Sequence, residues 1–182
     1  HARNISMRYP IEQALLGDSA ETLARLLPLL QPKAHGAWRQ SVERSVAESW
    51  AELEDKAMLE AEPLNPQRVF WDMSAQLPDD AILCGDSGSH TNWYARDVRL
   101  RGRMMGSLSG KLASMGSGVP YAIAAKMAHP QRPVIAMVGD GAMQMNGNAE
   151  LVTVQQYWKR WSNPTFIVLV LNNGDLNQVT WE

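Results

Sequence analysis

Apolar positions along the chain fall into three spacings. Val134–Val138 and Phe166–Leu171 are short, nearly unbroken runs of β-branched residues, leucine and methionine, the way strands buried on both faces of a parallel sheet read. Ala81–Cys84 is a shorter run of the same kind and predicts an earlier strand. In residues 36–60 the spacing becomes helical: Trp38, Val42, Val46, Trp50 and Leu53 share one face, with Arg, Glu and Lys around the rest. That stripe reads as core or interface. Residues 11–30 predict a short strand, a turn at Gly17-Asp18, and a helix capped by Asp18 or Ser19 with Glu21 in its first turn.

Punctuation between these runs sets the order of elements. Pro32 breaks the N-terminal pattern and starts a linker, and Asn65 and Pro66 are good N-cap and N1 residues for a helix running to about Gln76. After the first strand come a turn at Gly85–Gly88, a helix starting near Ser89, a glycine-punctuated loop from Gly102 to Gly118, and a helix from Pro120 to about Ala128. Strands alternating with helices indicate the α/β class with a doubly wound parallel sheet. No internal repeat or low-complexity tract interrupts it.

The two long strand runs end in Gly139-Asp140-Gly141 and Asn172-Asn173. If both strands run parallel in one sheet, Asp140 and Asn173 emerge at the same carboxyl edge, where open α/β sheets bind ligands. A carboxylate and an amide oxygen, with a nearby backbone carbonyl, suit a small hard cation such as Mg2+, which completes its shell with phosphate oxygens and water. The ligand should therefore carry a diphosphate. Gly139 and Gly141 would leave backbone N–H groups open to phosphate and tolerate a sharp turn, and the helix that follows would point its positive N-terminus at the same anion.

The segments GDGAMQMNGNAEL and VLVLNN, with thirty residues between Gly141 and Asn172, resemble the thiamine diphosphate signature of the acetolactate synthase, pyruvate oxidase and pyruvate decarboxylase superfamily. The resemblance implies that Asp140 and Asn173 are side-chain Mg2+ ligands, with the main-chain carbonyl of Asp175 as a third. Upstream, GSLSGKLASMGSGVPYAIAAKMAHPQRPVIAMVGDG resembles the family's MGxGxP turn, whose bulky apolar residue, matched by Met115, props the cofactor into a bent shape. That shape brings the aminopyrimidine nitrogen near the thiazolium C2 and gives the proton transfer a high effective concentration. GSHTNW, residues 88–93, is similar to the family's segment lining the cofactor site and brings in His90. Gly116, Gly139, Gly141 and Ala142 are the further cofactor contacts implied. Of the last residues, Val179 matches an apolar position near the substrate, and Glu182, nine positions after Asn173, matches an acidic residue that faces substrate in the oxidase branch.

The resemblance spans about residues 64–182. It implies three parts: residues 1–31 as the end of a Rossmann-like middle domain, 32–62 as a helical linker, and 63–182 as the diphosphate-binding domain, truncated at its C-terminus. The middle domain binds flavin (FAD) in some relatives, and the remnant leaves FAD undecided here. The activity implied is decarboxylation, oxidation or carboligation of a 2-oxo acid such as pyruvate. In the family a glutamate on a separate N-terminal domain activates the aminopyrimidine across a subunit interface, so a homodimer or homotetramer is expected. Glu150, inside the crossover helix, does not match that glutamate, so the chain is not expected to catalyse alone.

Composition narrows the alternatives. With 45% hydrophobic residues among 182 and a net charge of −2, there is no electrostatic footprint for nucleic acid, and no apolar run has membrane length. One cysteine, Cys84, excludes an internal disulfide framework and suits a reducing, cytoplasmic setting; in AILCG it reads as a buried small hydrophobe. The chain opens at His1, without methionine, and looks like a piece of a longer polypeptide. GSGVPY, residues 116–121, lacks the third glycine of a dinucleotide fingerprint and follows a loop. His1, His35, His90 and His129 lack zinc-ligand spacing, and the scattered tryptophans, Trp158 and Trp161 among them, argue for packing. The competing class is a regulatory or assembly module that kept the fold without cofactor; intact Asp140, Asn173 and Met115 count against it.

Overall fold

Asp18 opens the first helix: its Oδ1 accepts from the N–H groups of Ala20 and Glu21 at 3.0 and 3.1 Å, capping α1 (Ser19–Leu26). The computed structural model describes residues 5–32 and 36–181. Two units are distinguished, His1–Val46 and Ala47–Glu182. In the first, residues 11–16 form no strand, against expectation. A strand needs a partner for its backbone N–H and C=O groups, and none pairs with this segment among the described residues, where Ile11, Leu15 and Leu16 stay exposed.

Helix α2 (Ala37–Ala57) carries the predicted stripe, but its first half is not core: Trp38, Val42 and Val46 are exposed. The second half is engaged. Trp50 packs against Trp71 with ring centroids 6.0 Å apart, and the Arg99 guanidinium lies 3.9 Å above the Trp50 ring. Asn65 both closes α2 and opens α3 (Pro66–Gln76). Its Nδ2 donates to the carbonyls of Lys56, Ala57 and Leu59, while its Oδ1 accepts from Gln67 N–H at 3.1 Å.

Four strands make one all-parallel sheet: β1 (Ile82–Gly85), β2 (Met105–Leu108), β3 (Val134–Gly139) and β4 (Phe166–Leu171), in the order β2-β1-β3-β4. Helices α4 (Ser89–Asp97) and α5 (Gly118–Ala128) form the first two connections. The third starts as α6 (Asp140–Ala142), widens into a π turn at Met143–Gly147, and continues as α7 (Asn148–Tyr157). Alternation along the strands divides the core. Leu83, Ile135 and Met137 pack with Phe70, Tyr94 and Val98 on one face; Ile82, Cys84, Val134, Ala136 and Val138 pack with Val119, Ala122 and Ile123 on the other. Both faces of the central strands β1 and β3 are covered, which is the doubly wound α/β arrangement.

Strand β2 falls where a loop was expected. Met105-Gly106-Ser107-Leu108 has no apolar run because β2 is the edge strand and mostly exposed, so burial imposes no pattern on it. The packing roles of Cys84 and Trp161 hold, whereas Trp158, expected to pack as well, is exposed. Cys84 is buried, which pushes its thiol pKa up to about 11, and Trp161 is buried and stacks on Phe166 with centroids 5.5 Å apart. Among the described residues no helix is long and apolar enough to cross a membrane.

The chain leaves β1 toward one edge of the sheet and β3 toward the other. The switch point therefore lies between the carboxyl ends of β1 and β3, where ligands bind in such sheets.

One buried charge stands out away from that edge. Asp97, 1% exposed at the C-terminal end of α4, has no hydrogen-bond partner for either carboxylate oxygen among the described residues. Burial pushes its pKa up, and the neighbouring Gln67 side chain and Arg96 charge offset this only in part; the helix C-terminus disfavours the anion as well. The folded chain thus keeps this proton to higher pH than the unfolded chain does. The resulting stability is fully present below the ordinary aspartate value of about 3.9 and is lost as pH rises through the folded value. Asp97→Asn should raise the urea unfolding midpoint at neutral pH, and the gain should shrink toward zero on acidification below the ordinary value.

Candidate functional site

The carboxyl ends of β3 and β4 are brought level by their register, in which Gly139 pairs opposite Leu171. The residues that follow, Asp140 and Asn172, therefore leave the sheet side by side. Asp140 Oδ2 accepts from Gly174 N–H at 3.0 Å, and Asn172 Oδ1 accepts from the same N–H at 3.2 Å. Gly174 has φ +66, a left-handed conformation glycine adopts without a Cβ penalty. Asn173 Oδ1 accepts from Asp175 N–H at 3.2 Å. The two loop tips are joined directly, and Asp140 Oδ1 carries no hydrogen bond among the described residues.

A cleft of about 670 Å3 opens over these tips, within the range of small-molecule and cofactor sites. It is lined by His90 from α4, by Gly139, Asp140, Gly141 and Ala142 from the end of β3, by Asn173 and Asp175, and by Met115 and Val179. Leu64, Val69, Trp93, Leu169 and Leu171 give its remaining wall an apolar character. Gly116 does not line the cleft but directly follows Met115, which does. Glu182 lies outside the described residues, as do His1 and His35. Among the described residues no cluster of three His, Cys, Asp or Glu side chains could hold a metal. A hard cation here would rely on one carboxylate, one amide oxygen and a main-chain carbonyl, and the donor chemistry at Asp140, Asn173 and Asp175 fits that set.

Neither torsion nor protein packing requires glycine at 139, whereas space is tight at 141. Gly139 has φ −80, which any residue adopts, so no sharp turn requires it. A Cβ on Gly141 would stand 2.8 Å from Leu176 Cδ2 and 3.6 Å from Met115 Cε. Without it, Met115 and Leu176 close over the start of the helix.

His90 is 3% exposed and its Nε2 has no partner among the described residues. Burial pulls its pKa below the ordinary value, with the Asp86 charge and backbone only partly opposing this. A neutral imidazole with one buried, unpaired nitrogen thus borders the cleft. Such a nitrogen is costly unless a ligand polar atom meets it.

Asp86 was not anticipated from sequence. At the end of β1 and 1% exposed, it accepts from Ser87 N–H at 2.7 Å and Gly116 N–H at 2.8 Å through Oδ1, and from Gly118 N–H at 2.6 Å through Oδ2. Its carboxylate therefore occupies the N-terminus of α5. This gives a physical reason why GSGVPY is not a dinucleotide loop: the anion site at that helix start is filled by the protein itself. The only local signal is an acid two residues before Gly88, since two of its three partners, Gly116 and Gly118, are thirty or more residues away. Asn146 was also missed; from the π turn its Nδ2 donates to the Gly116 carbonyl at 3.4 Å.

Residues 86–182 match the family model described as thiamine pyrophosphate enzyme, C-terminal TPP binding domain. The chain is 32% identical over 178 residues, 98% of its length and 30% of the relative's, to YdaP of Bacillus subtilis, whose name describes it as thiamine pyrophosphate-containing. It is 32% identical over 162 residues to acetolactate synthase isozyme 1 large subunit of Escherichia coli, covering 89% of the chain and 27% of that protein. To acetolactate synthase of Arthrospira platensis it is 39% identical over 116 residues, 64% of the chain and 19% of that protein. The chain thus spans under a third of the length of these relatives.

The Asp86 cradle leaves no room at Gly118. A Cβ there would lie 2.7 Å from Val138 Cγ1 and 3.0 Å from both Asp86 Cβ and Oδ2. Gly118→Ala should therefore cost about 1–3 kcal/mol, the usual range for overpacking a filled core, read as a lowered midpoint in chemical denaturation.

Proposed function

This chain belongs to the thiamine pyrophosphate enzymes, through their C-terminal TPP-binding domain, and we propose that it holds thiamine diphosphate and Mg2+ as part of an enzyme acting on 2-oxo acids such as pyruvate. The observation that carries the reading is the junction of the two loop tips, Asp140 Oδ2 to Gly174 N–H at 3.0 Å. It brings one carboxylate and the Asn173 and Asp175 oxygens to a single cleft beside the backbone N–H groups of a helix start. Asp140 and Asn173 would hold the metal through their side chains, and Asp175 through its main-chain carbonyl. The helix start at Gly139–Ala142 would receive the diphosphate, His90 would donate to or accept from it, and Gly116 would border it. Met115 would support the bent cofactor from the apolar side.

When bound, thiamine diphosphate supplies an electron sink for the carbanion left when a 2-oxo acid loses CO2. The chain's own residues orient that group and exclude water; Val179 and Glu182 are assigned to the substrate side. Two relatives are acetolactate synthases by name, which favours a carboligase over a simple decarboxylase or oxidase. On the same reading residues 1–31 end a middle domain, 32–62 link it, and 63–182 form the diphosphate-binding domain of a homodimer or homotetramer whose active site is shared between subunits. A cofactor-free regulatory module is the contrary reading, and the donor set at Asp140 and Asn173 is what such a module would have no reason to keep.

Calorimetric titration of the full-length protein with thiamine diphosphate and Mg2+ separates the two. Wild type should bind with clear Mg2+ dependence, Asp140→Ala should give no measurable binding, and Asn173→Ala should bind more weakly. Equal titrations for wild type and Asp140→Ala would overturn the metal assignment, and a wild type that does not bind would favour the module.

A further inference from the structure

We propose that Asp86 is a positioning residue: from the end of β1 its carboxylate grips the Met115–Gly116 turn and so sets where Met115 stands in the cleft. This rests on the reading that the cleft receives thiamine diphosphate. The carboxylate is 1% exposed and takes three backbone N–H groups at 2.6–2.8 Å, short and charge-assisted bonds in a dry environment. One of the three belongs to Gly116, whose φ of +89 is open to glycine without a Cβ penalty but is only one of several conformations it can adopt, so what grips its N–H decides where the turn sits. The Gly116 carbonyl, on the other side of the same residue, is met by Asn146 Nδ2. The turn is thus held at both its N–H and its C=O. Met115 is the residue immediately before it, and its methyl lies 3.6 Å from where a Gly141 Cβ would be. Moving Gly116 would move Met115 away from the start of the Asp140 helix.

A second consequence is electrostatic. Two helix starts face the switch point, that of α5 and that of the segment beginning at Asp140. Both would attract an anion, but the Asp86 carboxylate already sits at the first, taking the Gly116 and Gly118 N–H groups. An incoming diphosphate is left with the second, next to Asp140 and Asn173. Asp86 would then act twice, by fixing the apolar support and by directing the anion, without touching the ligand.

A double-mutant cycle in the full-length protein tests this. Asp86→Asn keeps the shape and one acceptor oxygen but turns an NH2 toward a backbone N–H; Met115→Ala removes the support. The readouts are the Kd for thiamine diphosphate with Mg2+ present and the near-ultraviolet circular dichroism of the bound cofactor. Asp86→Asn should weaken binding roughly tenfold, the scale of one charge-assisted hydrogen bond, and should change the cofactor's dichroism in the same sense as Met115→Ala. In the Met115→Ala background it should add less than that factor, the remainder being the anion-directing part that does not run through Met115. Fully multiplicative effects, or an unchanged dichroism in Asp86→Asn, would mean that Asp86 only caps α5 and would overturn the proposal. Should Asp86→Asn fail to fold, Gly116→Ala disturbs the same turn from the opposite side, where its Cβ would lie 2.8 Å from Asn146 Nδ2, and the same coupling to Met115 is required of it. Absence of cofactor binding by the wild type would overturn both this inference and the reading beneath it.

Discussion

The parallel ladder between β3 and β4 is the constraint from which the cleft follows. Parallel strands finish at the same edge, so a carboxylate after one and amides after the other come out together only while Gly139 stays opposite Leu171. A slip of one residue would send every side chain to the other face and carry Asp140 away from Gly174. Alternating burial resists that slip: Val134, Ala136 and Val138 fill the α5 side, and Ile135 and Met137 the α3 and α4 side. The site's geometry is therefore maintained by hydrophobic residues that never touch it. On the other flank, β1 pairs with β3 and delivers Asp86 and His90 to the same edge.

Two acids at that edge are treated in opposite ways. Asp86 is buried and its charge is fully engaged by backbone donors, which offsets the cost of taking a carboxylate out of water. Asp140 is only half-buried and has one oxygen engaged. The first is built into the scaffold, and the second is left with capacity to bind something. Lys126 is a cationic counterpart to Asp86: wholly buried, it donates to the carbonyls of Arg132 and Thr165 and lies over the Trp161 ring. Asp97 has no such partner among the described residues, and its pKa rises accordingly.

Local pattern carried a good part of this into the sequence. The apolar runs of β1 and β3 were legible because these strands are buried; β4 carries the same kind of run but is not buried on both faces as expected, with Ile167 and Val170 exposed. The caps at Asp18 and Asn65 were legible because capping acts over two or three residues. Asp140, Asn173 and Met115 were legible by chemical type and motif order, and the cleft gathers all three. Residues 11–16 misled, because apolar content alone does not supply a pairing partner. Strand β2 was invisible for the converse reason: an exposed edge strand is defined by its neighbour's free backbone groups, through Met105 opposite Ile82 and Gly106 opposite Leu83.

The residues that escaped notice at the site share that cause. Asp86 and Gly116 are thirty positions apart, as are Gly116 and Asn146, so no window that detects a helix or strand can join them. The π turn at Met143–Gly147 belongs to the same group: such turns are uncommon and cluster at functional sites, and this one brings Gly147 against Val119 of α5 while Asn146 faces the Gly116 carbonyl. Ligand donors announce themselves by type, because few side chains can hold a hard cation. The residues that aim those donors do so through backbone hydrogen bonds, for which almost any polar side chain would serve, and only the fold reveals which one does.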